Sequence, residues 1–293
     1  MRRNSMAPVL EVRDLKKSFK DFAINNISFT LEKGYIMGFI GPNGAGKSTT
    51  IKLILNLLKK NDGEIKIFGL DNIKYEKEVK NRIGFVFDEN YFYEELTVME
   101  MKRLIASFYK NWDDRVFNKY IKEFSLPPKA KIKELSKGMK MKFSIAIALS
   151  HDAELLIMDE PTSGLDPIIR SELLDILTFL IQDENKSVFF STHITSDLDK
   201  IADYITFINH GSIVFSCAKD DIVEKHGLVK GPKEILNADV RKHFIGIKET
   251  PYGFEGLAGD RQQVKRILGD KAIIDKPSLD DIMLYYAKEV QNV

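Results

Sequence analysis

The 293-residue sequence predicts an α/β fold. Three observations carry that expectation. Short runs rich in Val, Ile and Phe recur up to Phe87 and again from Leu155. Between the later runs lie stretches with apolar residues three and four apart, the alternation of a largely parallel sheet. One apolar run, ending at Ile40, passes straight through a glycine-rich turn into a helical segment, a topology that presents a phosphate-binding turn.

The elements follow in order. Val9 to Arg13, Ile24 to Leu31, Tyr35 to Ile40, Glu64 to Phe68 and Ile83 to Phe87 read as strands separated by turn signals. From Thr97 the pattern turns helical: Thr97 and Glu100 form a capping box ahead of Met101 to Tyr109, and Asp113 to Phe124 follows until Pro127 and Pro128 end the block. A third helix starts at Ser136 and runs through Ile145 and Leu149. Strand signals return at Leu155 to Met158, Val188 to Ser191, and Tyr204 to Ile208, the last paired with Ser212 to Cys217 across Asn209, His210 and Gly211. Ile168 to Ile181 and Ser196 to Ile201 are the helices between them. Gly227, Gly231 and Pro232 mark a boundary. Beyond it, His243 to Lys248, Tyr252 to Ala258, Arg261 to Leu268, Ala272 to Asp275 and Leu279 to Ala287 read β, β, α, β, α. The expected division is therefore 1–226 and a small α+β unit at 227–293, with a helical subdomain at about 90–152.

Composition narrows the function classes. Lys plus Arg number 44 against 43 Asp plus Glu, a net charge of +1, with no global field for gripping nucleic acid or an anionic membrane. The single cysteine, Cys217, makes no internal disulfide, which fits a reducing cytoplasm. A membrane span needs about 18 consecutive apolar residues, and no run approaches that. Arg2 and Arg3 are followed by Glu11, Arg13 and Asp14 rather than an apolar signal core, so the start reads as untargeted. There is no repeat of solenoid period and no low-complexity run.

Gly41-Pro42-Asn43-Gly44-Ala45-Gly46-Lys47-Ser48 fits the phosphate-loop pattern in its confirming context, after a strand and before a helix. The glycines let backbone N–H groups turn inward around phosphate oxygens, and the helix N-terminus adds about half a positive charge. Lys47 reaches the β- and γ-phosphates, the Ser48 hydroxyl ligates Mg²⁺, and Thr49 is grouped with the binding loop. The run Leu155 to Met158 ends in Asp159 and Glu160, two carboxylates at the carboxyl end of a strand, where open α/β sheets place ligands. Asp159 would hold magnesium through its water shell and Glu160 would act as general base or water-positioner.

In this order and spacing the motifs resemble those of the ATP-binding subunits of ABC transporters, over about residues 8 to 225. Leu135-Ser136-Lys137-Gly138-Met139 stands where that family has its Leu-Ser-Gly-Gly-Gln signature, Ser163-Gly164-Leu165-Asp166 matches the D-loop, and His193 the switch histidine. The resemblance implies an ABC-type P-loop NTPase with an antiparallel β subdomain, a helical signature subdomain and a small C-terminal extension. It implies ATP and Mg²⁺ as cofactors, and Phe19 as the ring that stacks on adenine, with Phe22 a rival. It further implies that Ser136 and Gly138 face the γ-phosphate held by a second subunit, a copy of this chain or a paralogous ATPase. Ser136 suits that role physically, because a serine N-cap opens a helix whose N–H groups and dipole attract an anion. Asp166 would run along the same interface, and His193 would contact the γ-phosphate and orient water and Glu160. Lys137 and Met139 depart from the signature, and Asp88, followed by Glu89, stands where the family has the Q-loop glutamine; Asp88 is assigned to magnesium.

Tyr91-Phe92-Tyr93-Glu94-Glu95-Leu96 is an aromatic cluster in a polar loop, either a surface for the transmembrane subunit or a segment folded back into the helices. Lys131, Lys133, Lys137, Lys140 and Lys142 are read as a solvated helix face. The tail resembles the C-terminal extension of ATPases serving small bacterial exporters. The implied function is an ATPase at the inner face of the cell membrane that powers transport, in the export direction, through a separate transmembrane subunit. The alternatives are a non-transport ABC ATPase and a signalling subunit that gates a membrane partner; nucleic acid is not among the expected partners.

Overall fold

The computed structural model describes residues 7–87 and 91–289. The chain opens with β1 (Leu10–Ser18), β2 (Ala23–Leu31), β3 (Ile36–Ile40), α1 (Lys47–Ile54), β4 (Asp62–Ile67), β5 (Leu70–Asp71), α2 (Glu76–Asn81) and β6 (Ile83–Val86). Three helices follow: α3 (Val98–Ala106), α4 (Asp114–Glu123) and α5 (Lys137–Ser150). Next come β7 (Leu155–Asp159), α6 (Pro167–Leu180), β8 (Ser187–Thr192), α7 (Thr195–Ile201), β9 (Tyr204–Asn209), β10 (Ser212–Ala218) and α8 (Lys219–Lys225). The last stretch adds β11 (Gly227–Gly231), α9 (Ala238–Arg241), β12 (Phe244–Thr250), β13 (Gly253–Ala258), α10 (Arg261–Leu268), β14 (Ile273–Asp275) and α11 (Leu279–Glu289).

These strands form three sheets. The first is antiparallel, in the order β2-β1-β4-β5, and its inward residues Leu15, Ile27 and Phe29 share a core with Phe39, Ile51 and Phe189. The second runs β10-β9-β3-β8-β7-β6, parallel from β9 to β6 with β10 antiparallel at the edge. Strands β3, β7 and β8 are buried at every residue, as expected of parallel strands covered on both faces. Phe39, Phe189, Phe190 and Phe207 are fully buried there, each contributing about 1.5–3 kcal/mol of hydrophobic stabilisation. The β9–β10 hairpin turns at His210 and Gly211 with φ of 45° and 73°, the left-handed pair that a tight two-residue hairpin requires.

The helices begin where the caps expect them. Thr97 and Glu100 close a reciprocal capping box on α3, Asp113 accepts from Arg115 and Val116 N–H at α4, and Ser136 accepts from Met139 N–H at 3.2 Å on α5. Phe117 and Phe143 pin α4 to α5 in the larger core.

The third sheet is antiparallel, in the order β12-β13-β11-β14. Its central strand, Gly227 to Gly231, differs from the boundary that its glycines suggested. Leu228 and Val229 are buried and the strand pairs on both sides, so the glycines flank a strand instead of replacing one. Helix α11 does not pack on this sheet alone. Leu279, Ile282 and Tyr285 enter the same core as Phe143, Leu156, Leu198 and Phe207.

Candidate active site

The strand order does the first part of the work. β3, β8 and β7 are neighbours, with Ile40 opposite Thr192 and Asp159 opposite Ser191. The glycine-rich loop, His193 and the Asp159–Glu160 pair therefore leave the sheet side by side at one carboxyl edge. They border a cleft of about 710 Å³ lined by Asn43, Gly44, Gly46, Lys47, Ser48, Thr49, Glu160, Ser163 and His193, with Asp21 and Phe22 at its rim.

Gly44 and Gly46 have φ of 79° and 112°, so the loop reverses around its own N–H groups. At Gly46 a Cβ would come within 2.6 Å of Ile24 Cδ1 and 2.9 Å of Phe22 Cζ. Gly41 and Ala45 are buried beneath the loop; Gly41 contributes its carbonyl, which accepts from Lys47 Nζ at 2.8 Å. The Pro42 carbonyl accepts from the same ammonium at 3.3 Å, and Glu160 Oε1 lies 3.2 Å away.

Glu160 is the hub. Its second oxygen, Oε2, lies 2.7 Å from His193 Nδ1 and accepts from His193 N–H at 3.2 Å. An ionised carboxylate only accepts, so Nδ1 is the proton-bearing nitrogen in this contact. Glu160 itself has φ 48°, a left-handed conformation rare for a glutamate. Its N–H is held by Ser191, at 3.0 Å to the carbonyl and 3.2 Å to Oγ. Ser191 Oγ also donates to Asp159 Oδ1 at 2.6 Å, orienting a carboxylate that is only 7% exposed. The sequence reasoning missed this serine as an orienting group; the available signal was a hydroxyl at the end of a buried strand adjacent to the acidic pair. Asp21 and Ser163 were also missed as lining residues.

Other expected residues lie elsewhere. Phe22 lines the cleft, while Phe19, 43% exposed, packs on Phe22 with ring centroids 6.3 Å apart. Ser136 and Gly138 open α5 outside the cleft lining, and a Cβ on Gly138 would meet Ile169 Cγ2 of α6 at 2.6 Å. Asp166 caps α6, accepting from Ile168 and Ile169 N–H at 3.0 Å each, and also stands outside the lining. One chain thus brings together the phosphate loop, Glu160, His193 and Ser163, the first residue of the D-loop motif, but not Asp166 or the signature residues. Asp88 and Glu89 lie outside the described residues. Among the described residues no cluster of three or more acidic, His or Cys side chains stands ready for a metal. The hard oxygen donors Ser48 and Asp159 nevertheless suit magnesium, which takes one or two protein oxygens and completes its shell with phosphates and water.

A second cavity, of about 410 Å³, lies under the helices. Phe85, Phe87, Tyr91, Met101, Ile105 and Phe108 make it apolar, and Lys137, Lys140 and His151 also border it. The aromatic loop divides between its two readings. Phe92 turns inward against Phe143 at 5.0 Å, while Tyr91 and Tyr93 are 64% and 66% exposed. In the basic cluster, Lys131 and Lys133 pair with Glu95, Lys142 with Glu172 and Lys140 with Glu94. Lys133 and Lys131 hold the Glu95 carboxyl down to about 2.

Residues 24–163 match the family model for ABC transporters. The bacitracin transport ATP-binding protein BcrA of Bacillus licheniformis is 34% identical over 226 residues, covering 75% of this chain and 73% of that protein. The fluoroquinolones export ATP-binding protein of Mycobacterium tuberculosis is 32% identical over 240 residues, 81% of this chain and 77% of its own length. A solved ATP-binding subunit of an ABC transporter superposes with a TM-score of 0.66 at 29% identity, covering 73% of this chain and 91% of the other.

Proposed function

The chain belongs to the ABC transporter family as an ATP-binding, ATP-hydrolysing subunit, and on that premise we propose that two copies close head-to-tail on two ATP molecules and power export through a separate transmembrane subunit. The observation that carries the reading is the convergence of Lys47, Glu160 and His193 on one phosphate-loop cleft.

In this reading the loop N–H groups and Lys47 bind the β- and γ-phosphates, and an entering phosphate competes with Glu160 for the Lys47 ammonium. Ser48 and Asp159, with Asp88 as the third assigned residue, would hold magnesium, which would neutralise charge on the phosphates. Once released from Lys47, Glu160 takes a proton from the water that attacks the γ-phosphorus while the bond from that phosphorus to the β–γ bridging oxygen breaks and ADP leaves; His193 holds the carboxylate in place through Oε2. Phe22 and Phe19 form the aromatic wall for the base. The pocket is completed by the Ser136 end of α5 and by Gly138 and Asp166 of a second subunit, a copy of this chain or a paralogue; their position outside the cleft of their own chain supports this arrangement.

In this reading the transport path belongs to a separate partner and this subunit is peripheral to the inner face of the membrane; that no helix among the described residues is long and apolar enough to cross a membrane agrees with it. The apolar cavity beside Tyr91 is the surface for that partner. Likeness to proteins named for bacitracin transport and fluoroquinolone export supports the export direction. Residues 1–226 form the ATPase unit and 227–293 its extension.

Glu160→Gln tests the assignment. Turnover should fall by about a hundredfold or more, as for loss of a positioned base, and an ATP-bound dimer should accumulate on size exclusion. Unchanged turnover with a monomeric profile would remove Glu160 from the hydrolytic step.

A further inference from the structure

Helix α7 begins two residues after His193, and its start is built unusually. Ile194 stands at the N-cap and offers no capping side chain. Thr195, the first helical residue, is fully buried, so its hydroxyl must find a partner inside the protein. That partner is the carboxylate of Asp280, in the first turn of α11. Asp280 is not needed by its own helix. Ser278 and Asp281 close that end, with Asp281 Oδ2 accepting from Ser278 N–H at 2.9 Å and Ser278 Oγ accepting from Asp281 N–H at 3.1 Å.

The remaining contacts pack α7 against both α6 and α11. Asp199 of α7 faces the start of α11, where burial, and then the nearby Asp280 and Asp281, push its carboxyl above the usual range against the pull of Lys219 and the Leu279 main chain. Leu279 and Ile282 are fully buried in one core with Leu198 of α7. Tyr286 rests on Phe207 and Phe215, and its hydroxyl lies 2.9 Å from His226 Nε2. On the opposite flank, Arg170 of α6 donates to buried Asp197 at 2.5 Å and to Ser196 at 2.9 Å. Helix α7 is therefore gripped between α6 and α11, and the segment that carries His193 leaves β8 toward a fixed point.

We propose that Asp280 is a positioning residue for His193: through its bond to Thr195 the C-terminal unit sets the orientation of the imidazole toward Glu160 and thereby the rate of ATP hydrolysis. The inference rests on the assignment of His193 to hydrolysis. Asp280 touches neither nucleotide nor the reacting atoms, so the signature is a change in kcat without a change in KM for ATP.

Steady-state ATPase assays on the full chain test this with Asp280→Ala, Asp280→Asn, Thr195→Val, the Asp280→Ala/Thr195→Val double variant, and His193→Ala. Asp280→Ala and Thr195→Val should each lower kcat by about five- to tenfold, the scale of a misoriented rather than missing group, with KM within about twofold. The double variant should be no slower than either single one, because both remove the same bond. Asp280→Asn, whose amide oxygen still accepts, should recover most of the rate. Thr195→Val and the double variant leave no buried hydroxyl unpaired and should melt close to the parent, whereas Asp280→Ala strands the Thr195 hydroxyl and should melt lower. An unchanged kcat in Asp280→Ala, additive losses in the double variant, or losses that track KM or melting temperature would overturn the inference. If His193→Ala itself hydrolyses ATP at the parent rate, the His193 assignment fails; if it is slow while Asp280→Ala is normal, the positioning role alone fails.

Discussion

The phosphate-loop cleft and the aromatic cavity under the helices are built on opposite principles. The cleft is made mainly of backbone and short polar side chains from three neighbouring strand ends, and its shape is imposed by Gly44 and Gly46 in left-handed conformations. The cavity is made of large apolar side chains from strand, loop and two helices, with no conformational exception among its lining residues. A site of the first kind recognises one chemical group and tolerates little change. A site of the second kind recognises area, and its contributions are spread and individually replaceable.

The sharpest contrast comes from removing the loop's charge. Lys47→Ala should weaken ATP binding by at least about a hundredfold, since the ammonium makes the charge-assisted contacts to phosphate; titration calorimetry checks this, and retained affinity would sink the loop assignment. Next is geometry without charge. Gly46→Ala places a methyl at φ 112° against Ile24 and Phe22, and should cost about 1–3 kcal/mol of stability together with about tenfold in ATP affinity. A variant that melts and binds like the parent would mean that the loop is less constrained than its conformation indicates.

The cavity should respond in the opposite manner. Phe108 is 72% exposed at its edge, so, if this face receives the proposed transmembrane subunit, Phe108→Glu should leave the isolated chain's ATPase within about twofold while reducing recovery of any multi-span membrane protein that co-purifies with the parent. Equal recovery would separate this surface from the partner.

A further contrast concerns pH. His151, 1% exposed, stacks on Tyr109 with ring centroids 3.8 Å apart, and neither ring nitrogen has a hydrogen-bond partner. Burial holds its pKa down to about 4, against the opposing influence of the Asn81 main chain. Between about 6.5 and 4 the unfolded chain therefore takes up a proton that the folded chain refuses. Stability is lost as pH falls through that window, by up to about 3 kcal/mol. His151→Phe, which keeps the stack, should flatten this slope in denaturant titrations across pH, leaving the smaller contribution of His226, also held down by burial. An unchanged slope would place the titration elsewhere.

The same contrast explains what could be read from the sequence. The phosphate loop, the Asp159–Glu160 pair and the Thr97, Asp113 and Ser136 caps are local devices whose residues must be adjacent or three apart, so the sequence displays them directly. Ser191 and the cavity residues are brought together only by strand order and helix packing. The strand Gly227 to Gly231 was hidden because its ends carry turn residues and its three buried positions, Gly227, Leu228 and Val229, are consecutive and show no alternation. The sequence shows a helix from Leu279 without saying that its buried residues Leu279, Ile282 and Tyr285 join the core of Phe143, Leu156 and Phe207.

The left-handed backbone at Glu160 has a consequence for the protein's tolerance of change. An L-residue with a long side chain is held there at a cost of about 1–2 kcal/mol, and a glycine would adopt the same conformation freely. That glycine would, however, leave the buried Lys47 ammonium without its carboxylate, a loss larger than the strain relieved. The strained backbone at this position is therefore held in place by the ion pair and the His193 contact that its side chain makes.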